Sequence, residues 1–331
     1  MGLLLLSSII ITFGKTYVIL LIGRFIYETS WVFKDVQGIM LKNNLKLIGK
    51  PDDYAKITNR GQIIYALLTF IVSLMSGFLF NINPYIPMYL CIAICIVTFI
   101  MYLGMKDVSN DNIVIPERKE KGIKVLKFNK IVWIAILSFT LFYGCLISVG
   151  QDNGKLMIQY ELTKVYDVAK VSIYLGIITS LSRITRLIST SSFNKIYNKI
   201  KDRYLLLLVA MIISALSFMV IGFFMQRGLI RFILMTIGYC LTLACRDPLA
   251  LYTNDLILKH TKPEEQKRAI SYLQLGRKLG TTMWGLVASA ILLKWEIICV
   301  IIATLILSIV ELFVVLKLYS MVEINKLKQV I

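Results

Sequence analysis

One histidine, His260, occurs in 331 residues, and none of the six cysteines has the Cys-x-x-Cys spacing of a zinc or redox site. Without a second His there is no HExxH pair and no Ser/His/Asp or Cys/His catalytic set, because His260 sits in a basic loop beside Lys259 and Lys262. No glycine-rich phosphate loop is present either, so ATP-driven work would need a separate subunit. The sequence therefore gives no ground for an enzyme, a metal or a cofactor. Acidic residues are also few, 19 against 37 Lys and Arg, which leaves a net charge of +18.

What is abundant is apolar: 57% of residues are hydrophobic and the mean hydropathy is +0.74, well above the range of a soluble domain. Runs of about 20 apolar residues satisfy their backbone hydrogen bonds internally only as helices, and they do not show the alternation of barrel strands. The expected fold is an all-α, polytopic membrane bundle of about ten segments. Their predicted limits are residues 2–13, 16–41, 61–81, 84–104, 131–151, 168–190, 204–226, 229–253, 269–293 and 295–317. The first is short: about 12 residues at 1.5 Å each reach about 18 Å, against a hydrocarbon core of about 30 Å. It is not read as a secretory signal, because no basic residue precedes it and no convincing small-residue cleavage site follows.

The basic residues supply an orientation. With both ends cytoplasmic, 27 of the 37 Lys and Arg fall in every second connection and in the tail, as the positive-inside rule requires. The charge thus follows from topology in a plasma membrane, and its scatter over short loops gives no nucleic-acid face. The six cysteines lie inside apolar segments and read as small packing residues. Residues 106–130 form a polar connector between an N-terminal block, 1–105, and a C-terminal block of six segments, 131–331.

Three polar clusters interrupt the apolar segments. In the second segment Arg24 and Glu28 are one helical turn apart, with Asp35 further along. A charge within the bilayer is costly and normally faces a partner or a cavity. Glu28 is thus either a substrate or proton site or half of a structural ion pair. At the end of the fifth segment, Gln151, Asp152 and Asn153 stand between Gly150 and Gly154, which would permit a break in the helix; a solvated loop is the alternative. In the eighth, Arg246, Asp247 and Pro248 form a cluster with a kink or hinge at the proline, and Asp255 is placed to pair with Lys259. Gly276, Gly280 and Gly285 recur along the ninth segment and would allow close helix approach. Arg277 and Lys278 between them are read as snorkelling to the inner interface, as are Arg183 and Arg186.

Leu21-Ile22-Gly23-Arg24, Asn59-Arg60-Gly61, Arg246-Asp247-Pro248, Tyr252-Thr253-Asn254-Asp255 and Arg268-Ala269-Ile270-Ser271, in that order around a polar linker, resemble the major facilitator superfamily over nearly the whole chain. The resemblance implies two helical blocks joined by a cytoplasmic linker. The segments here would match the family's helices three, in part, through twelve, with the first two lacking. It also implies that the three polar clusters lie on helices that line a central cavity. The expected function is secondary transport of a small polar solute by alternating access, as symport or antiport. Glu28 or Asp152 would carry protons, and lipid, solute and protons are the expected partners. The other reading is a truncated membrane protein that transports nothing, or a partner-dependent subunit.

Overall fold

A computed structural model describes residues 2–32, 45, 48–49, 53–104, 128–225, 228–261 and 265–330; the side chains of some helical residues within these ranges are not described. The chain divides into two compact units, Met1–Lys124 and Val125–Ile331. Among the described residues the secondary structure is entirely helical.

The first unit contains α1 (Gly2–Phe13), α2 (Tyr17–Val32), α3 (Asp53–Ile82) and α4 (Ile86–Leu103). Helix α1 packs on α2 and α4. Gly23 is needed for this contact, since a Cβ there would lie 2.8 Å from Ile11 Cγ1. On its other side α1 meets α4 through Phe13 and Tyr89, whose rings are 6.2 Å apart.

The second unit begins with α5 (Lys130–Phe139), capped by the Asn129 side chain accepting from the Ile131 amide. It runs without interruption through a π-helical stretch at Thr140–Ile147 into α6 (Ser148–Thr163). The helix expected to stop near Gln151 therefore continues another three turns, and the anticipated break at Gly150 and Gly154 is absent. Both glycines are instead packing positions. A Cβ on Gly154 would lie 2.4 Å from Met219 Cε, and one on Gly150 3.4 Å from Thr242 Cγ2. The irregularity lies a few residues earlier, where Thr140 donates its hydroxyl to the Ile136 carbonyl at 2.8 Å. Such a bond competes with the regular ladder, and short π stretches often mark functional sites.

Helix α7 (Val168–Ile200) has 33 residues, about 50 Å at 1.5 Å per residue. A three-residue turn then leads into α8 (Tyr204–Phe224). After α9 (Leu229–Ala244) the chain breaks at Cys245 and restarts as α10 (Arg246–Lys259). Pro248 accounts for the break: it has no amide hydrogen for the carbonyl four residues back, that of Ala244. This carbonyl instead accepts the Ser189 hydroxyl at 2.6 Å. Helices α11 (Gln266–Leu292) and α12 (Ile297–Val330) complete the unit.

Helix α8 packs along α9 at backbone distance, since a Cβ on Gly238 would stand 2.4 Å from the Ala215 carbonyl oxygen. Leu208, Ile212, Leu216, Met219, Met235 and Leu243 are fully buried at this contact. The glycines of α11 divide. Cβ atoms at Gly276 and Gly280 would meet Thr140 at 2.3 and 2.7 Å, whereas nothing lies within 4 Å of Gly285. Gly285→Ala is therefore expected to leave the melting temperature in detergent unchanged.

Six described helical stretches are long and apolar enough to cross a membrane: Ile86–Leu103, Lys130–Thr163, Val168–Ile200, Tyr204–Phe224, Leu229–Lys259 and Ile297–Ile324. Shorter apolar stretches are Gly2–Phe13, Tyr17–Tyr27 and Leu67–Ile82. The chain is thus a helical bundle compatible with a multi-pass membrane protein.

Candidate functional site

The π stretch positions Tyr143 inside the second unit, where only 9% of it is exposed. Its hydroxyl accepts from Arg246 Nε at 2.8 Å, and Arg246 Nη1 reaches Gln151 Oε1 at 3.5 Å. A second guanidinium, that of Arg277, lies 5.0 Å from the centroid of the same ring, and that of Arg246 lies 5.8 Å away. The two arginines thus flank one aromatic side chain at cation–π distance. Arg277 does not follow its expected course outward to the interface: it turns onto Tyr143, held by the close approach of α11 to the π stretch. A Cβ on Gly144 would lie 2.9 Å from the Arg277 carbonyl oxygen.

Asp247, next to Arg246, takes a different partner. Arg186 of α7 grips it with two nitrogens, at 2.6 and 2.8 Å, and Thr190 adds a hydroxyl at 3.3 Å. This two-toothed geometry is the strong form of the arginine–carboxylate contact. It assigns Arg186 to α10 and not to the lipid interface. The pair is about a quarter exposed on each side, and a double-mutant cycle of Arg186→Ala with Asp247→Ala is expected to give a coupling of about 1–3 kcal/mol.

The remaining polar residues of α6 lie beside this pair of networks. Asp152 is exposed and Asn153 buried, and Lys155 is within electrostatic reach of both Asp152 and Arg183. The geometry thus joins Gln151 and Arg246 directly, places Asp152 and Asn153 next to them on α6, and commits Asp247 to α7. Asp255 pairs with Lys259 at 2.5 Å, as its spacing implied, and also accepts the Tyr197 hydroxyl at 2.7 Å.

The first cluster belongs to the other unit. Arg24 on α2 is exposed, with its guanidinium 5.1 Å from the Tyr27 ring centroid. Glu28 follows one turn later, but its side chain is not described, and Asp35 lies outside the described residues.

Sequence reasoning missed Tyr143, Glu161 and Glu311. Nothing distinguishes Tyr143 from the other aromatics of an apolar segment. Glu161 is 1% exposed and pairs with Arg231 of α9 and, at 2.8 Å, with Lys164. It falls in a stretch whose composition reads as an external loop. Glu311 is fully buried on α12, and its signal was available, since it is a lone carboxylate in an unbroken apolar run.

Among the described residues, no three His, Cys, Asp or Glu side chains converge to hold a metal ion. The arrangement can do something simpler: it offers two guanidiniums, a phenol and an amide within an apolar bundle, donors and acceptors suited to a small polar solute. Neither a protein-family profile nor a curated protein matches the chain.

Proposed function

We propose that the chain is a secondary transporter of a small polar solute. It works by alternating access in the plasma membrane, with its C-terminus in the cytoplasm and ten segments in a major-facilitator-like arrangement. The observation that carries this reading is the Tyr143–Arg246–Gln151 network beside a π-helical stretch, on a continuous helix able to cross a membrane. Charged and amide side chains within a membrane segment are costly and normally face a partner or a water-filled path. A π turn gives its helix a local irregularity at which the two halves can swivel. Solute hydrogen-bonds to Gln151 and Arg246, and lipid covers the apolar outer faces. Glu28 or Asp152 is the proton carrier of this reading.

The test needs no knowledge of the solute. In a background with the six native cysteines replaced, Gln151→Cys is placed in oriented vesicles and treated with a membrane-impermeant maleimide. Alternating access predicts labelling from either side. Labelling from one side alone, or from neither, sinks the proposal and favours the protein that transports nothing. In the same background Lys121→Cys is expected to label only from the cytoplasmic side and Lys164→Cys only from outside; the reverse pattern overturns the orientation.

A further inference from the structure

Glu311 is a carboxyl that the second unit encloses with little compensation. It is 0% exposed, and Ser138 of α5, itself 1% exposed, donates to its Oε1 at 2.5 Å. The other oxygen, Oε2, is buried with no hydrogen-bond partner. Among the described residues no cation forms an ion pair with this carboxyl. The groups that face it are the Ser138 hydroxyl and, from the π stretch, the thiol of Cys145. That thiol is itself buried against α11, where it donates to the Gly280 carbonyl at 3.6 Å.

A carboxylate without a cation or a second donor is among the most costly groups to enclose, whereas the neutral acid loses only one ordinary hydrogen bond. The same face of α12 carries two further enclosed polar groups. Thr304 and Ser308, one turn apart and both 0% exposed, precede Glu311 at positions that share its side of the helix. They form a short buried hydroxyl stripe ending at the acid. Glu311 also bonds Ser138, two residues before the irregular stretch that positions Tyr143, and lies within electrostatic reach of Cys145 inside that stretch. The acid is therefore placed to respond when that stretch changes shape.

We propose that Glu311 is a reversible proton-binding site. The proton is held as a neutral carboxylic acid between α12 and α5, and it is exchanged with water when that contact loosens. On release the acid's O–H bond breaks, its electron pair stays on the carboxylate, and a water molecule takes the proton. The site stands on its own enclosure, and only its use in driving transport rests on the reading above.

Infrared spectroscopy of the full-length protein in lipid nanodiscs tests it. The spectrum of the wild type minus that of Glu311→Gln at neutral pH should contain the carbonyl stretch of a protonated carboxyl, moved to lower frequency in heavy water. In Ser138→Ala, which leaves the carboxyl in place, the band should shift upward through loss of the donated hydrogen bond. That variant preserves the test if Glu311→Gln does not fold. At alkaline pH the band should give way to carboxylate bands. Carboxylate bands at neutral pH would show a charged group or a bound cation and overturn the proposal, as would a protonated band indifferent to pH. These measurements require no transport, so a protein that moves nothing can still pass them, and a transporter lacking the site will fail them.

Discussion

Arg231→Ala is expected to lower the stability of the second unit by about 3–5 kcal/mol, the usual result of removing one partner from a buried ion pair. Glu161 is 1% exposed and Arg231 11%, so neither charge has water to fall back on. Arg231 is also lodged beside Phe223 and Phe232, its guanidinium 5.8 and 6.0 Å from their ring centroids. Lys164 remains as a second cation for Glu161, but it is 43% exposed and screened accordingly. The loss corresponds to about 10 °C in melting temperature for a unit of this size. Adding Glu161→Gln should restore most of it, because the cost of the single change lies in the stranded carboxylate. Equal melting of Arg231→Ala and the wild type in detergent would show the pair to be solvated.

Gly280→Leu should be comparably severe, at about 2–3 kcal/mol, through overpacking against the backbone. The first atom of any side chain there would stand 2.7 Å from the Thr140 carbonyl oxygen and 3.3 Å from Gly144 Cα. Carbonyl and Cα atoms of a continuous helix cannot step aside as a flexible side chain would. Helix α11 would have to withdraw, taking Arg277 off Tyr143 and the Gly280 carbonyl off Cys145. The variant is thus expected to melt early and also to lose the accessibility of Gln151→Cys to maleimide. Wild-type melting in Gly280→Leu would show that α11 does not approach the π stretch at backbone distance. Gly285→Ala, with open space around it, is the matched control.

These two cases mark the limits of the sequence. That residues 276 and 280 serve close approach was legible, because glycines at near-helical spacing in an apolar segment have few other uses. That Gly285 does not was illegible, since spacing alone cannot show which face meets a neighbour. The helices themselves followed from apolar length, while several ends did not: Val168–Ile200 and Ile297–Val330 run well past the expected residues 190 and 317, and the helix expected to end at 151 continues to Thr163. The polar residues 151–155 resemble a loop by composition, yet their backbone stays helical because a helix satisfies its hydrogen bonds internally whatever its side chains do. Pro248 was read as freeing a carbonyl one turn earlier, and the interruption does fall there, at Cys245.

Of the site, Gln151 and Arg246 were identified from polarity within apolar runs, although their junction through Tyr143 depends on a π stretch that no residue pattern announces. Arg183, Arg186 and Arg277 were assigned to the interface on the assumption that long basic side chains seek water. Arg186 has a carboxylate and Arg277 an aromatic face to prefer. Glu311 meets the same criterion that singled out Glu28, a charge inside an apolar segment, and it was overlooked for want of a polar neighbour in sequence.

Across the proline break, α7 holds α9 and α10 by a regular ladder. Thr185 donates to the Cys240 carbonyl, Ser189 to that of Ala244, Arg186 and Thr190 to Asp247, and Tyr197 to Asp255. The partners are offset by 55 to 61 residues throughout, so the helices run in the same direction like two rails joined by rungs. A broken helix is ordinarily free to flex, but this one is splinted by its neighbour. Through these rungs α7, α9 and α10 are tied into one three-helix set, and the interruption at Cys245 is bridged from α7 on both of its sides.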